Sequence, residues 1–230
     1  MPSRDRPRQK PDPFVGVISN IVHRITVRGI RSVIRSLIED HIFSFQRRFV
    51  FYRSLLADAE EISNEFECRL ATHTDLIHLQ VFASIYRVPQ FKEWLDNGNW
   101  IFVAYHGGKP VSFHVVSKES RNRPPFSRFS LKDDQVWIVD IYTLPEYRRH
   151  HVAQSLRAFR ERTLRSLGYT EAISTVLISN LPTLFHAAKG WNLRVKYFTY
   201  VRVLWFHWMD VEEDGSGRLK QCLRNETSKL

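Results

Sequence analysis

Cysteine is scarce: the 230-residue chain holds two, Cys68 and Cys222, far apart and without ligand-like spacing. That excludes a disulfide framework and a zinc knuckle, and a reducing compartment is the expectation. Long apolar runs are missing too. The basic N-terminus leads into no uninterrupted hydrophobic stretch of the signal-peptide or membrane-spanning kind. The most apolar span, Val15 to Ile42, is broken repeatedly by arginines. A soluble, cytoplasmic protein is expected, with contact to the inner face of a membrane left open. No internal repeat marks the chain.

What is present is core material. Hydrophobic residues make up 43% and charged residues 25%, and 16 Phe and 6 Trp supply bulk, so disorder of the whole chain is excluded. The length suits one well-buried domain with appendages. Charge is unevenly placed. Residues 1–53 carry eleven Lys/Arg against four Asp/Glu, which is +7 of the formal +10. Whatever the basic surplus does, the N-terminal segment does it.

Residues 1–13, rich in Pro, Arg and Asp, read as a disordered basic arm. Residues 14–44 read as a basic amphipathic helical segment in two pieces around Gly29. Ile18, Ile21, Val22 and Ile25 follow helical spacing, as do Ile30, Val33, Ile34, Leu37 and Ile38, while Arg24, Arg28, Arg31 and Arg35 line one face. A solvated helix face is the plain reading of that stripe. Peripheral contact with an anionic membrane is the functional one, and nucleic acid is less favoured because Ile and Val dominate the other side.

Residues 45–209 form the expected domain, and 210–230 a flexible polar tail. Strands are expected over 45–55, 65–71, 99–105, 110–117, 135–143 and 170–179, with one or two more over 193–209. Helices are expected from a cap at Thr74 or Asp75 through Tyr86, and over 91–95, 152–167 and 182–189. The run His106-Gly107-Gly108-Lys109 closes the clearest hairpin. The order describes an α/β (α+β) fold, a mixed sheet flanked by helices.

The stretch that carries chemistry runs from Val136 to Ala153. A strand ends, a tight loop follows, and a helix begins whose N-terminus points back at that loop. Such a terminus presents free N–H groups and about half a positive charge, which suits a pyrophosphate. Arg148, Arg149, His150 and His151 add cationic attraction.

Pro145-Glu146-Tyr147 followed by Arg148-Arg149-His150-His151-Val152-Ala153 resembles the pyrophosphate loop of the GNAT superfamily, the Gcn5-related N-acetyltransferases. That loop reads Gln/Arg-x-x-Gly-x-Gly/Ala. The first and last positions fit, and His151 stands at the central glycine. Downstream, Asn180 and then Phe185-His186-Ala-Ala-Lys-Gly190-Trp191 resemble the family's second motif, an Asn at a strand end and a short helix closed by Gly-Phe. The likeness spans about residues 65–209 and implies a GNAT-like, mostly antiparallel central sheet. It also implies acetyl-CoA, or another acyl-CoA, as co-substrate for direct transfer to a small-molecule amine or a protein amine.

The cofactor contacts it implies are the backbone at Tyr142, Thr143 and Leu144, the loop Arg148–Ala153, and Asn180. His186 stands where relatives carry the Tyr that protonates the leaving thiolate. Some relatives carry an acidic pair in this strand; here Asp140 is kept and the Glu is lost, so deprotonation of the amine is open to Asp140, to water, or to neither. No metal is implied. The alternative is a non-catalytic GNAT-fold module that binds a membrane surface, nucleic acid or a protein through its basic helix.

Overall fold

The computed structural model describes residues 42–56, 65–82, 88–119, 125–188 and 194–227. The basic arm and residues 14–41 of the amphipathic segment lie outside the described residues. So do 83–87, the end of the helix expected to reach Tyr86, and 189–193, which include Gly190 and Trp191. Contacts divide the chain into two units, Gln46–Tyr200 with His207–Leu230, and Met1–Phe45 with Val201–Phe206.

The elements are β1 (Phe43–Ser54), β2 (Glu67–Leu70), a 3-10 segment (His73–Phe82), α1 (Val88–Asp96), β3 (Trp100–His106), β4 (Lys109–Ser117), β5 (Gln135–Thr143), α2 (Val152–Ser166), β6 (Glu171–Leu177), α3 (Leu181–Ala188), β7 (Arg194–Val203), β8 (Phe206–Glu212) and α4 (Ser216–Thr227). The strands form one sheet in the order β2-β3-β4-β5-β6-β1-β7-β8. β2–β3, β3–β4, β4–β5 and β1–β6 pair antiparallel, and β5–β6 pair parallel. This is the mixed, mostly antiparallel GNAT-like sheet that the sequence predicts.

The β3–β4 hairpin turns on Gly107 and Gly108, both at positive φ, where a side chain would be strained. Both faces of the hairpin are covered. Phe102, Ala104, Val111 and Val116 pack against Val152, Leu156 and Leu164 in the α2-side cluster. Ile101, Val103, Phe113 and Val115 pack with Leu79, Phe82 and Phe91 on the opposite side. Burial on both faces is why these strands read as near-continuous apolar runs rather than alternating ones.

The cap of the segment at 73–82 is Thr72 rather than Thr74 or Asp75, and the segment is a 3-10 helix. The carboxylate of Asp75 reaches back to accept the Thr72 N–H at 2.8 Å and an Arg69 guanidinium N–H at 2.6 Å. Those bonds tie its first turn to β2.

β1 lies between β6 and β7, Arg48–Ser54 pairing with Leu177–Glu171. Its run Phe49, Val50, Phe51 and Tyr52 is buried throughout. Phe49 and Phe51 join one cluster and Val50 and Tyr52 another, as an interior strand requires.

The expectation of a loose tail from Asp210 is overturned. β8 runs to Glu212, and residues 216–227 form a helix. Leu219, Cys222 and Leu223, at i, i+3 and i+4, put its one apolar stripe on the cluster of Phe49, Phe51, Val176, Leu184, Val195 and Tyr197. A polar composition hid a narrow stripe. The entry to this helix needs a glycine: the Gly215 N–H donates to Val195 O at 2.8 Å, and a Cβ there would stand 2.9 Å from Lys196 C and Tyr197 N. Gly215→Val therefore lowers stability by about 1–3 kcal/mol in urea unfolding, because backbone cannot step aside as a side chain can.

Candidate functional site

The site begins with two parallel strands that separate. β5 pairs with β6 only from Gln135↔Glu171 to Trp137↔Ile173. Beyond that rung β6 stays with β1 as far as Leu177, and β5 stays with β4 as far as Thr143. A gap therefore opens at the carboxyl ends of both strands, the end of a parallel pair where ligands are commonly received.

A bulge re-aims β5 at that point. Val115 pairs with Asp140 and Val116 with Ile138, so the register shifts at Val139. Before the bulge, Val136 and Ile138 join the α2-side cluster. After it, Asp140 and Tyr142 share the face of their partners Val115 and Phe113, on the α1 side. Ile141 then falls on the α2 side beside His114 and is 47% exposed, unusual for an apolar residue of an interior strand. The parting of β6 explains that exposure.

The backbone beyond the bulge divides the three residues expected to offer amides. The Leu144 N–H donates to Val111 O at 3.0 Å and its side chain is buried, so it is not available to a ligand, which corrects that expectation. Antiparallel alternation turns the Tyr142 amide toward β4 as well, and turns those of Ile141 and Thr143 toward the gap. Of these two, Ile141 N–H is taken at 2.8 Å by Oδ1 of the half-buried Asp140. Among the described residues nothing covers the Thr143 amide, which also faces the gap. Ser112 steadies it: its buried hydroxyl donates to Tyr142 O at 2.8 Å and lies 2.9 Å from Thr143 Oγ1. Sequence reasoning passed over Ser112, a small polar residue inside an apolar strand and a readable signal.

β5 leads through Leu144 into a short 3-10 turn, Pro145–Tyr147, and then the loop before α2. Tyr147 and Arg148 N–H groups are bonded within that turn. Among the described residues no backbone carbonyl accepts from the amides of Arg149, His150, His151, Val152 or Ala153. Arg149 and His151 both sit at positive φ, 70° and 60°, and no side chain caps α2. Amides of successive residues in such a backbone form an anion-binding concavity.

His151 thus adopts the left-handed conformation for which the family motif uses glycine. Its exposed ring turns onto the helix, Nδ1 lying 3.0 Å from Gln154 Oε1. Arg148 extends along the end of β5, its Nε donating to Thr143 O at 3.3 Å with the guanidinium over the Tyr142 ring. Arg149 and His150 are exposed. Val152 is buried with Leu156 and anchors the helix start, and Ala153 follows half-buried.

Asn180 immediately precedes α3, two residues intervening after β6, and its carbonyl accepts the Leu184 N–H at 3.0 Å. It is exposed at the carboxyl end of the strand that leaves β5. His186 lies on α3, and its side chain is outside the described residues.

Beneath the gap lies a polar cluster that sequence reasoning did not single out. His114 of β4 is fully buried, with Nδ1 3.1 Å from Arg160 Nη1. Glu161 holds Arg53 at 2.8 Å and Arg160 at 3.3 Å. Burial first, then the charges of Arg160 and Arg157, press the His114 imidazole well below its ordinary value, so it is neutral. The signal was an Arg and a Glu on the inward side of α2, between Leu156 and Leu164.

A sheet bulged and parted beside an amide-lined helix start defines the class, an acetyltransferase-type α/β domain. The model of the acetyltransferase (GNAT) family matches residues 54–187, and the chain belongs to that family. Solved structures similar to it include a functionally unknown conserved protein from Staphylococcus epidermidis, at 12% identity and TM-score 0.49, covering 80% of this chain and 67% of that one. A Drosophila protein is similar at 12% identity and TM-score 0.48, covering 76% of this chain and 58% of that one. An aminoglycoside N-acetyltransferase in complex with CoA is similar at 22% identity and TM-score 0.43, covering 55% and 91%. The chain thus spans less than two thirds of the second structure's length. No curated protein matches it.

Proposed function

We propose that the protein moves an acetyl or longer acyl group from coenzyme A to an amine by direct transfer. The observation that carries this reading is the gap beside bulged β5, opening at the end of the strand from which the unbonded amides of Arg149–Ala153 follow. Those amides, with Arg148 and Arg149, suit the diphosphate of coenzyme A. The Thr143 amide faces the gap and suits an oxygen of the pantetheine arm or of the thioester, whose carbonyl carbon is open to attack.

In the transfer the amine nitrogen bonds to that carbon, the carbon–sulfur bond breaks, and the sulfur leaves as thiolate. Asp140, in β5 beside the gap, is the residue we assign to the proton given up by the amine, directly or through water. His186 is assigned to reprotonate the thiolate. A small-molecule amine and a protein amine both satisfy this chemistry.

Isothermal titration with acetyl-CoA tests the reading. The wild-type protein binds, and Arg148→Glu weakens binding by about tenfold or more, since a repelling carboxylate replaces an attracting cation. His151→Gly keeps binding and raises stability by about 1 kcal/mol, because it relieves the left-handed strain. Absence of binding heat with the wild-type protein would sink the transferase reading and leave a GNAT-fold binding module.

A further inference from the structure

Acyl transfer as assigned above leaves the polar cluster between β4 and α2 without a use. His114 and Arg160 are both fully buried, at 1% and 2% exposure. They meet through Nδ1 of the imidazole and Nη1 of the guanidinium at 3.1 Å. A guanidinium can only donate, so Nδ1 accepts and the ring hydrogen sits on Nε2. Among the described residues that Nε2 has no hydrogen-bond partner, and neither has Arg160 Nε. Two N–H donors are thus left open in the interior, and each costs stability until an acceptor meets it.

Charge asks for an acceptor of one kind. Glu161 Oε1 lies 3.3 Å from Arg160 Nη2 and only 2.8 Å from Arg53 Nε, so Arg160 shares its carboxylate and has the longer contact. Arg157, also buried, stands one turn nearer the start of α2, and its charge repels a cation at either His114 or Arg160. Water could take up both hydrogens, but it gives Arg160 no counter-ion of its own. An anion that only accepts answers both needs. A carboxylate has two oxygens to offer to two donors.

The sheet register places this cluster on the path of a ligand in the gap. Ser112 and His114 follow each other on one face of β4, and their partners on β5 are Thr143 and Ile141. Thr143 carries the amide that faces the gap, and Ile141 is the residue bared where β6 has parted. His114 therefore stands one same-face step, about 7 Å, deeper than the rung to which the thioester is assigned.

We propose that His114 and Arg160 bind a carboxylate at the far end of the acyl group, so that the acyl donor is the coenzyme A thioester of a dicarboxylic acid. This rests on the acyl-transfer reading and narrows it from any acyl group to an anionic one.

Isothermal titration of the full chain with acetyl-, butyryl- and succinyl-CoA tests it, since butyryl matches succinyl in chain length and lacks the carboxylate. The wild type binds succinyl-CoA about tenfold or more tighter than butyryl-CoA, the factor expected from hydrogen bonds to a charged group. Arg160→Met removes that preference and keeps the affinity for butyryl-CoA, while Glu161 retains Arg53. His114→Gln, whose amide both donates and accepts, keeps part of the preference. Succinate without coenzyme A binds far more weakly than succinyl-CoA; equal binding marks a free-anion site and overturns the acyl assignment. Equal affinity of the wild type for butyryl- and succinyl-CoA overturns the proposal and leaves acyl transfer standing. A preference that survives Arg160→Met overturns it as well. Binding of none of the three thioesters removes the proposal together with the transferase reading. Should Arg160→Met fail to fold, the wild-type ratio and the His114→Gln ratio decide.

Discussion

Trp137→Ala is expected to lower the free energy of unfolding by about 3–5 kcal/mol, the range for removing a large aromatic from a packed interior. Trp137 is almost wholly buried, among Val50, Tyr52, Phe126, Phe129, Ile173 and Phe198. Its indole meets the Phe126 ring at 5.9 Å in an edge contact and Phe129 at 6.2 Å. The cost falls at the high end, because these neighbours come from β1, β6, β7 and the 125–129 segment and cannot all collapse into one void. Trp137 is also the last rung of the β5–β6 ladder. Urea unfolding measures the effect as a fall in midpoint with an unchanged slope; a loss near 1 kcal/mol would mean that the site closes up and that this packing does not hold the strands where they part.

The second large effect is on acid stability and centres on His114. In the folded protein its imidazole takes a proton only well below the ordinary 6.5, because burial and then Arg160 and Arg157 disfavour the cation. The unfolded chain therefore binds that proton first. The stability this residue contributes is complete above 6.5 and is lost as pH falls, at about 1.4 kcal/mol per pH unit until the folded form itself protonates.

The groups around His114 offer it little relief. Arg160 donates to Nδ1, which assigns the hydrogen to Nε2, and Nε2 finds no partner among the described residues. Glu161, the nearby acid, is engaged by Arg53 and Arg160. His114→Gln keeps an acceptor for Arg160 and cannot titrate. Unfolding free energies measured from about pH 7 to about pH 5 are expected to fall more steeply in the wild type than in this variant. Parallel curves would show that His114 is not the titrating group.

Where one strand decides its own surroundings, the sequence was readable. β5 runs over Gln135–Thr143, the expected residues, because a run of Val, Trp and Ile bounded by Asp134 and Pro145 admits little else. α2 begins at Val152 as expected and ends at Ser166, one residue early. The loop motif was also local: strand end, cations and helix start follow one another along the chain, so the family resemblance on Pro145–Ala153 needed no partner from elsewhere.

The misreadings share a cause. α4 reads as a loose tail in the sequence because three apolar residues among charged ones do not declare a helix until the β1 and β7 surfaces that receive them are known. Leu144 was expected to offer its amide, yet whether it does depends on Val111 in another strand. Ser112, His114, Arg157 and Arg160 carry no motif, and they matter only because β4 and α2 lie against each other.

The order of apolar runs and glycine turns along the chain was by itself enough to determine a mixed sheet flanked by helices and the hairpin at Gly107-Gly108, and the resemblance of Pro145–Ala153 and of Asn180–Trp191 to the family motifs pointed to the family fold. Those features depend on neighbours a few residues apart. Only the tertiary structure decided that β5 leaves β6 after Trp137, that the strand bulges at Val139, and that Val111 takes the Leu144 amide. Each of these is a relation between backbone segments distant in sequence, set by which hydrogen-bond partners and packing surfaces they meet, and no local pattern encodes that meeting.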